Sequence, residues 1–371
     1  MAAETISSLR KRIDQLNLEI LRLLSLRAQV AAEIGKLKER LGLSPHDPRR
    51  ESEMLRELLR HNEGPLSDAT VVRIFHAIFA AGMEVQVAGS PEKLLVRRAP
   101  GQANTVVVVG GELFGAGSPV VIAGPCSVES EEQIVAIAGT VKSAGVKVLR
   151  GGAFKPRTSP YAFQGLRREG VLMLERAAHE HGLATVTEVV DVRDLEWVAE
   201  HVDMVQIGTR NMTNFELLKA AGQCGAPVLL KRGFMSTIEE FMLAAEYVVA
   251  GGNPHVVLCE RGIRTHERAT RNTLDISAVP ILRHETHLPV IVDISHSTGR
   301  KDIALPVALA ALAAGADGLM VEVHDHPETA LSDPDQQLNL QEFLELMDGI
   351  TSWLRSRAPA PGAGEGSTGG R

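Results

Sequence analysis

The chain has 371 residues, 44% of them apolar and 23% charged, a balance that supports a large core and leaves length for two domains. Its formal net charge of -7 excludes a bulk nucleic-acid binder, though a local cationic pocket can exist inside an acidic envelope. No signal-like or membrane-spanning apolar run is present, and Cys126, Cys224 and Cys259 have no metal-finger spacing, so a cytoplasmic chain without membrane contact or disulfides is expected.

From 5 to 40 the residues Leu9, Ile13, Leu16, Ile20, Leu23, Val30, Ile34 and Leu37 recur in steps of three and four, the repeat of a helix with one apolar face. The step missing between Leu23 and Val30 falls on Arg27, a charge in an apolar seam. A helix of about 36 residues would be about 54 Å long. Helical patterns at 48–61 and 67–86, joined by the turn HNEGPLSD, are too short to cover it. A second copy of the chain is the natural cover, so a dimer through these helices is expected.

Gly, Pro and mixed charge over 87–117 mark a linker in which TVVVVGGELFG reads as a β-hairpin. Beyond it, apolar β-branched runs at 120–123, 146–149, 184–188, 204–207, 228–230, 256–258, 290–294 and 318–321 alternate with helix-like segments. Short strands each followed by a helix predict an α/β fold, a (β/α)8 TIM barrel. A doubly wound open sheet is the competitor, but no GxGxxG follows the first strand. The domains expected are a helical unit at 1–88, linker and hairpin at 89–117, the barrel at 118–357 and a disordered tail at 358–371 with almost nothing to bury.

Chemistry in such a barrel sits at the C-terminal strand ends. These read Pro125-Cys126, Arg150, Glu188, Gly208-Thr209-Arg210, Lys231-Arg232, Glu260-Arg261, Asp293 to His296, and Glu322 to His324. So many cations on one rim would repel one another without an anion between them. A pocket for phosphorylated carboxylic or sugar ligands follows. The stretch VKVLRGGAFKPRTSPYAFQG at 146–165 is its densest part: Gly151 and Gly152 can turn N–H groups toward an anion, and Arg150, Lys155 and Arg157 supply cationic donors. Cys126, His296, Glu322 and the acidic loop SDPDQ suit a divalent first-row metal, since sulfur disfavours magnesium and carboxylates disfavour a structural zinc.

GPCSVES at 124–130, LRGGAFKPRTSPYAFQG at 149–165, QIGTRNMTNFELL at 206–218, LLKRGF at 229–234, CERG at 259–262 and DISHSTGR at 293–300 resemble the 3-deoxy-7-phosphoheptulonate (DAHP) synthases, in their shorter bacterial subtype. The resemblance implies a metal-dependent barrel that condenses phosphoenolpyruvate with erythrose 4-phosphate, the first step of the shikimate pathway. It places the metal ligands on Cys126, His296, Glu322 and Asp333, with Mn2+ first and Fe2+, Co2+ or Zn2+ as alternatives. Phosphoenolpyruvate contacts fall on Arg150, Lys155, Arg210, Lys231 and Arg261, and contacts to the phosphate of erythrose 4-phosphate on Arg157 and Thr158. Lys155 is the candidate general acid and Glu188 a water-positioning group. The rival reading, a 3-deoxy-octulosonate 8-phosphate synthase, is disfavoured by KPRTS at 155–159.

The first ninety residues are similar to the all-helical chorismate mutases, through LRKRIDQLN, LRAQVAAEIGKLK and PRRESEML. That similarity implies an active site built between two chains and puts chorismate or prephenate contacts on Arg10, Arg27, Lys38, Asp47, Arg50, Glu51 and Gln86. It also accounts for Arg27 in the apolar seam: Lys38, three turns on, lies within about 20° of it around the helix. Where that family's pattern has a serine, four residues before Gln86, this chain has Gly82. The implied role is mutase, feedback sensor for the barrel, or both, in a homodimer that pairs into a tetramer.

Overall fold

The structure, a computed structural model, describes residues 5–41, 48–88, 94–157 and 159–357; Asp47, Thr158, the linker at 89–93 and the tail from 358 lie outside the described residues. The chain divides into two compact units, Met1–Leu94 and Leu95–Arg371.

In the first unit α1 (Ile6–Arg40), α2 (Pro48–Arg60) and α3 (Asp68–Ala88) follow the expected spans within a few residues. Ser67 opens α3, its Oγ accepting the Thr70 N–H at 3.3 Å, a helix cap that leaves one fewer unpaired donor in the first turn. Few apolar side chains are buried here, Ala31, Val71 and Phe79 among them. The stripe from Leu9 to Leu37 is between 42% and 56% exposed along its whole length. Three helices of one chain leave it uncovered, as the helix lengths required.

The second unit opens with a hairpin, β1 (Val107–Val109) and β2 (Glu112–Phe114), turning through Gly110 and Gly111 at positive φ. Eight parallel strands follow: β3 (Val120–Gly124), β4 (Val148–Arg150), β5 (Ala184–Val189), β6 (Met204–Ile207), β7 (Val228–Lys231), β8 (Val256–Glu260), β9 (Val290–Asp293) and β10 (Gly318–Glu322). Pairing of β10 with β3, Glu322 opposite Gly124, closes them into a barrel and excludes the open sheet. Around it run α4 (Glu131–Ser143), α5 (Arg168–His181), α6 (Val192–Ala199), α7 (Phe215–Ala221), α8 (Ile238–Ala250), α9 (Ala278–Glu285), α10 (Ile294–Thr298), α11 (Ala304–Ala313) and α12 (Leu340–Arg357).

Alternate residues of each strand face opposite sides. Outward Ala123, Leu149, Val292, Leu319 and Val321 pack with the helices, while inward Ile122, Val148, Val186, Met204, Leu229, Cys259, Ile291 and Met320 form a second core. Val107, Val109 and Phe114 of the hairpin join the inward core. The hairpin expected in the linker is therefore a plug for the end where the strands begin. Each such side chain withdrawn from water contributes about 1.5–3 kcal/mol. With that end filled, the opposite end is the one left to hold a ligand.

Candidate active site

Two residues beyond each member of the inward apolar layer, the same face carries Gly124, Arg150, Glu188, Gln206, Lys231, Arg261, Asp293 and Glu322. Several of the strands run one or two residues past the apolar runs, so most of these groups are the last inward positions of the barrel itself, and Arg261 follows its strand by one residue. One pocket is lined by Arg150, Lys155, Arg157, Glu188, Arg210, Lys231, Arg261, Arg271, His296 and Asp333, with Gln206 and Phe234 beside them. Thus the structure brings together every described residue assigned above to the two substrates.

Lys155 apart, the cations of this pocket fall into two sets. Arg150 donates to Glu322 at 2.7 Å, Lys231 makes a buried short contact to Asp293, and Arg271 lies 3.0 Å from Asp333. Arg157, Arg210 and Arg261 have no carboxylate within ion-pair distance among the described residues, and Arg157 Nη2 and Arg261 Nε are buried without any hydrogen-bond partner. Burial, with no adequate counter-charge, lowers the pKa of Arg261. Arg210 and Arg261 instead lie over the Phe234 ring, at 5.4 and 4.8 Å, with Arg264 at 4.4 Å. Guanidiniums without a carboxylate partner are suited to take up an anion. Arg232, next to Lys231, points the other way and is paired with Glu260 and Asp275 outside the barrel. Gly151 is a correction to the sequence reading: its N–H donates to Val186 O at 3.1 Å and continues the sheet instead of facing a ligand.

Cys126, His296, Glu322 and Asp333 offer ligand atoms that all lie within 4.8 Å of one another. Burial first, then Glu322, pushes the Cys126 thiol up to about 12; burial brings His296 down to about 4. His296 is therefore neutral near pH 7, with one N–H to share. Yet Nδ1 meets Asp293 Oδ2 at 2.7 Å and Nε2 meets Glu322 Oε1 at 3.1 Å. A neutral imidazole cannot donate to both, so one nitrogen turns a lone pair toward a carboxylate unless a cation lies between. With Nδ1–H on Asp293, Nε2 is free to ligate, the usual arrangement of a metal-bound histidine. One sulfur, one nitrogen and two carboxylates fit a first-row divalent ion. Lys155 completes the cluster, Nζ donating to the Cys126 carbonyl at 2.9 Å and lying 3.1 Å from its sulfur.

Glu188 reaches the pocket because position 208 is glycine: a Cβ there would lie 1.8 Å from Glu188 Oε1. Sequence reasoning missed Asp293 as the orienter of His296, and also Arg271, Gln336 and Gln337. DISHS carried a signal for the first, an acid three residues before a ligand histidine; the others sit in irregular loops with no spacing to read.

In the first unit Arg27 is half-buried against α3, donating from Nη1 to Ile78 O at 3.3 Å and lying 5.3 Å over Phe79. Gly82 gives it room, since a Cβ would meet Nη1 at 2.8 Å. Lys38 is half-buried on the same helix, Arg50 is largely exposed near Glu53, and Glu51 is half-buried on α2. Arg10 is exposed, and at 1.5 Å per residue it stands about 25 Å along α1 from Arg27. One chain therefore does not bring Arg10 and Arg27 to one ligand.

A closed barrel with this pocket at its C-terminal end defines an enzyme that acts on small anionic substrates. Comparison with known proteins narrows the class. Residues 99–355 match the DAHP synthetase I family and residues 9–87 match chorismate mutase type II. Phospho-2-dehydro-3-deoxyheptonate aldolase of Thermotoga maritima is 55% identical over 253 residues, 68% of this chain and 75% of that protein. The 2-dehydro-3-deoxyphosphooctonate aldolase of Nitrobacter hamburgensis is 31% identical over 266 residues, 66% of this chain and 91% of that one. Among solved structures, DAHP synthase of Thermotoga maritima overlays with a TM-score of 0.69 at 53% identity, covering 71% of this chain and 77% of the other. A truncated form of the 3-deoxy-D-arabino-heptulosonate 7-phosphate synthase of that organism gives 0.67 at 51% identity, covering 71% and 96%. The chain belongs to the DAHP synthetase I family, as a DAHP synthase carrying a chorismate mutase type II domain ahead of its barrel.

Proposed function

We propose that the barrel condenses phosphoenolpyruvate with erythrose 4-phosphate to 3-deoxy-D-arabino-heptulosonate 7-phosphate and inorganic phosphate. The observation that carries this reading is the set of unpaired guanidiniums, Arg157, Arg210 and Arg261, facing one pocket beside the Cys126–His296–Glu322–Asp333 quartet. A divalent metal in that quartet, Mn2+ first among the candidates, would supply Lewis acidity to the aldehyde. Arg210 and Arg261, with Arg150, Lys155 and Lys231, would hold phosphoenolpyruvate; Arg157 and Thr158 would hold the sugar phosphate. Two anions that repel in water are thereby kept side by side in a preorganised field. As C3 of phosphoenolpyruvate bonds to the aldehyde carbon, Lys155 delivers a proton to the aldehyde oxygen. Water then adds at C2, positioned by Glu188, and the C2–O bond to phosphate breaks, leaving a ketone.

The N-terminal unit would convert chorismate to prephenate and bind both for feedback on the barrel, with two copies pairing through α1 and such dimers forming a tetramer. The uncovered stripe from Leu9 to Leu37 and the separation of Arg10 from Arg27 support a two-chain site. Three free cysteines, one of them a metal-ligand candidate, suit the cytoplasm. The test is phosphate release from phosphoenolpyruvate and erythrose 4-phosphate, with and without chelator and prephenate. A preference for arabinose 5-phosphate would overturn the substrate assignment, and indifference to chelator would overturn the metal.

A further inference from the structure

Every paired cation of the pocket holds an acidic member of the quartet's surroundings. Arg150 takes Glu322, Lys231 takes Asp293 behind His296, and Arg271 takes Asp333. Arg271 differs from the other two in being on a loop, with its side chain 38% exposed. Its loop is nevertheless fixed to the turn that carries His296: the Arg271 N–H donates to Thr298 O at 2.7 Å and the Asn272 N–H to Ser297 O at 2.9 Å. The Asn272 side chain donates to the carbonyl of His296 itself, at 2.9 Å.

From there one nitrogen reaches two ligands. Arg271 Nη1 lies 3.0 Å from Asp333 Oδ2 and donates at 2.6 Å to Gln336 Oε1, whose own amide donates to Glu322. The next residue, Gln337, accepts the Cys126 N–H at 2.8 Å and donates to Ser332 O at 2.8 Å, across the turn that contains Asp333. Asp333 stands at φ 50, a left-handed backbone that a non-glycine residue keeps only when its surroundings hold it.

We infer that Arg271 is a positioning residue for the metal quartet: its guanidinium fixes Asp333 directly and Glu322 through Gln336, so that four ligands from distant parts of the chain stand ready together. Unlike Arg157, Arg210 and Arg261, it already has a carboxylate partner, and that partner is a member of the quartet. This rests on the quartet being a metal site. Removing such outer partners lowers metal affinity about 10- to 100-fold in comparable sites.

The experiment is Mn2+ titration of the chelator-stripped full chain, without substrate, following free Mn2+ by its electron paramagnetic resonance signal. The parent, Arg271→Ala, Arg271→Lys and Cys126→Ala are compared, with melting temperatures measured on the same samples. The parent should bind one Mn2+, Arg271→Ala should bind it at least about tenfold more weakly, and Arg271→Lys should recover part of the loss. If Cys126→Ala loses the ion while Arg271→Ala holds it as the parent does, the inference on Arg271 fails and the quartet stands. If the parent binds no Mn2+, Fe2+, Co2+ or Zn2+ at micromolar concentration, both fail. A lower melting temperature for Arg271→Ala with unchanged Mn2+ affinity marks a merely structural role and also overturns the inference.

Discussion

Cys126 is the residue on which the donor set turns. Its thiol is fully buried, within 3.6 Å of Asp333 and 2.9 Å of Ser332, and burial followed by the charge of Glu322 holds its proton on. Only a bound cation makes the thiolate affordable there, so loading the site releases a proton. Cys126→Ala should reduce turnover at least about 100-fold while leaving the circular dichroism spectrum unchanged; retained activity would remove the metal from the mechanism. The neighbours set a pH dependence as well. His296 is depressed from 6.5 to about 4 by burial, and although burial raises Asp293 and Glu322, their contacts with His296 and the charges of Lys231 on the one and Arg150 on the other hold both below their ordinary values. Unfolding therefore takes up protons in acid, and all three groups act in the same direction. The metal-free chain should lose stability as pH falls from about 6.5 toward about 4, with His296 contributing nothing further below that. Thermal melts in chelator across this range test it, and a level Tm would contradict the neutral, buried imidazole.

At the scale of strands and loops, the site is a matter of register. A strand that keeps Val186 in the inward core must put Glu188 in the pocket, and the same step carries Leu229 to Lys231 and Met320 to Glu322. Glu188 also needs Gly208, just past the end of the neighbouring strand, to be bare. Gly208→Ala should displace the carboxylate, cost about 1–3 kcal/mol through crowding, and lower kcat by about tenfold or more if Glu188 acts on water. Comparing Gly208→Ala, Glu188→Ala and the double variant isolates the route: losses that add independently would show that position 208 does not act through Glu188. This regularity is why so much of the barrel site was legible in the sequence. Alternation with an apolar inward layer marks Arg150, Lys231, Arg261 and Glu322 without any structure. Arg271, Gln336 and Gln337 were not legible because their partners are set by loop closure, which no period encodes. The hairpin was read correctly as a hairpin, but its Val107, Val109 and Phe114 gave no hint that they would fill the barrel floor.

At the scale of the whole molecule, the two units pose different problems of stability. The barrel closes on itself and buries its own core, and a truncated relative 51% identical to this chain has been solved as a structure. The helical unit leaves Leu9, Ile13, Leu16, Ile20, Leu23, Val30, Ile34 and Leu37 in water, an apolar stripe along α1 that the unit's own described residues do not cover. Its folding should then be linked to assembly, so the melting of this unit should shift upward with protein concentration while the barrel's does not. A single copy also does not bring Arg10 to Arg27, so loss of pairing should abolish ligand binding. Arg27→Ala removes the guanidinium that lies between Ile78 O and the Phe79 ring without adding bulk to the interface. In the full chain it should abolish prephenate inhibition and chorismate turnover, leave DAHP synthesis without effector within about twofold of the parent, and leave a dimer by light scattering. Synthase that remains prephenate-sensitive in Arg27→Ala would place the effector away from Arg27.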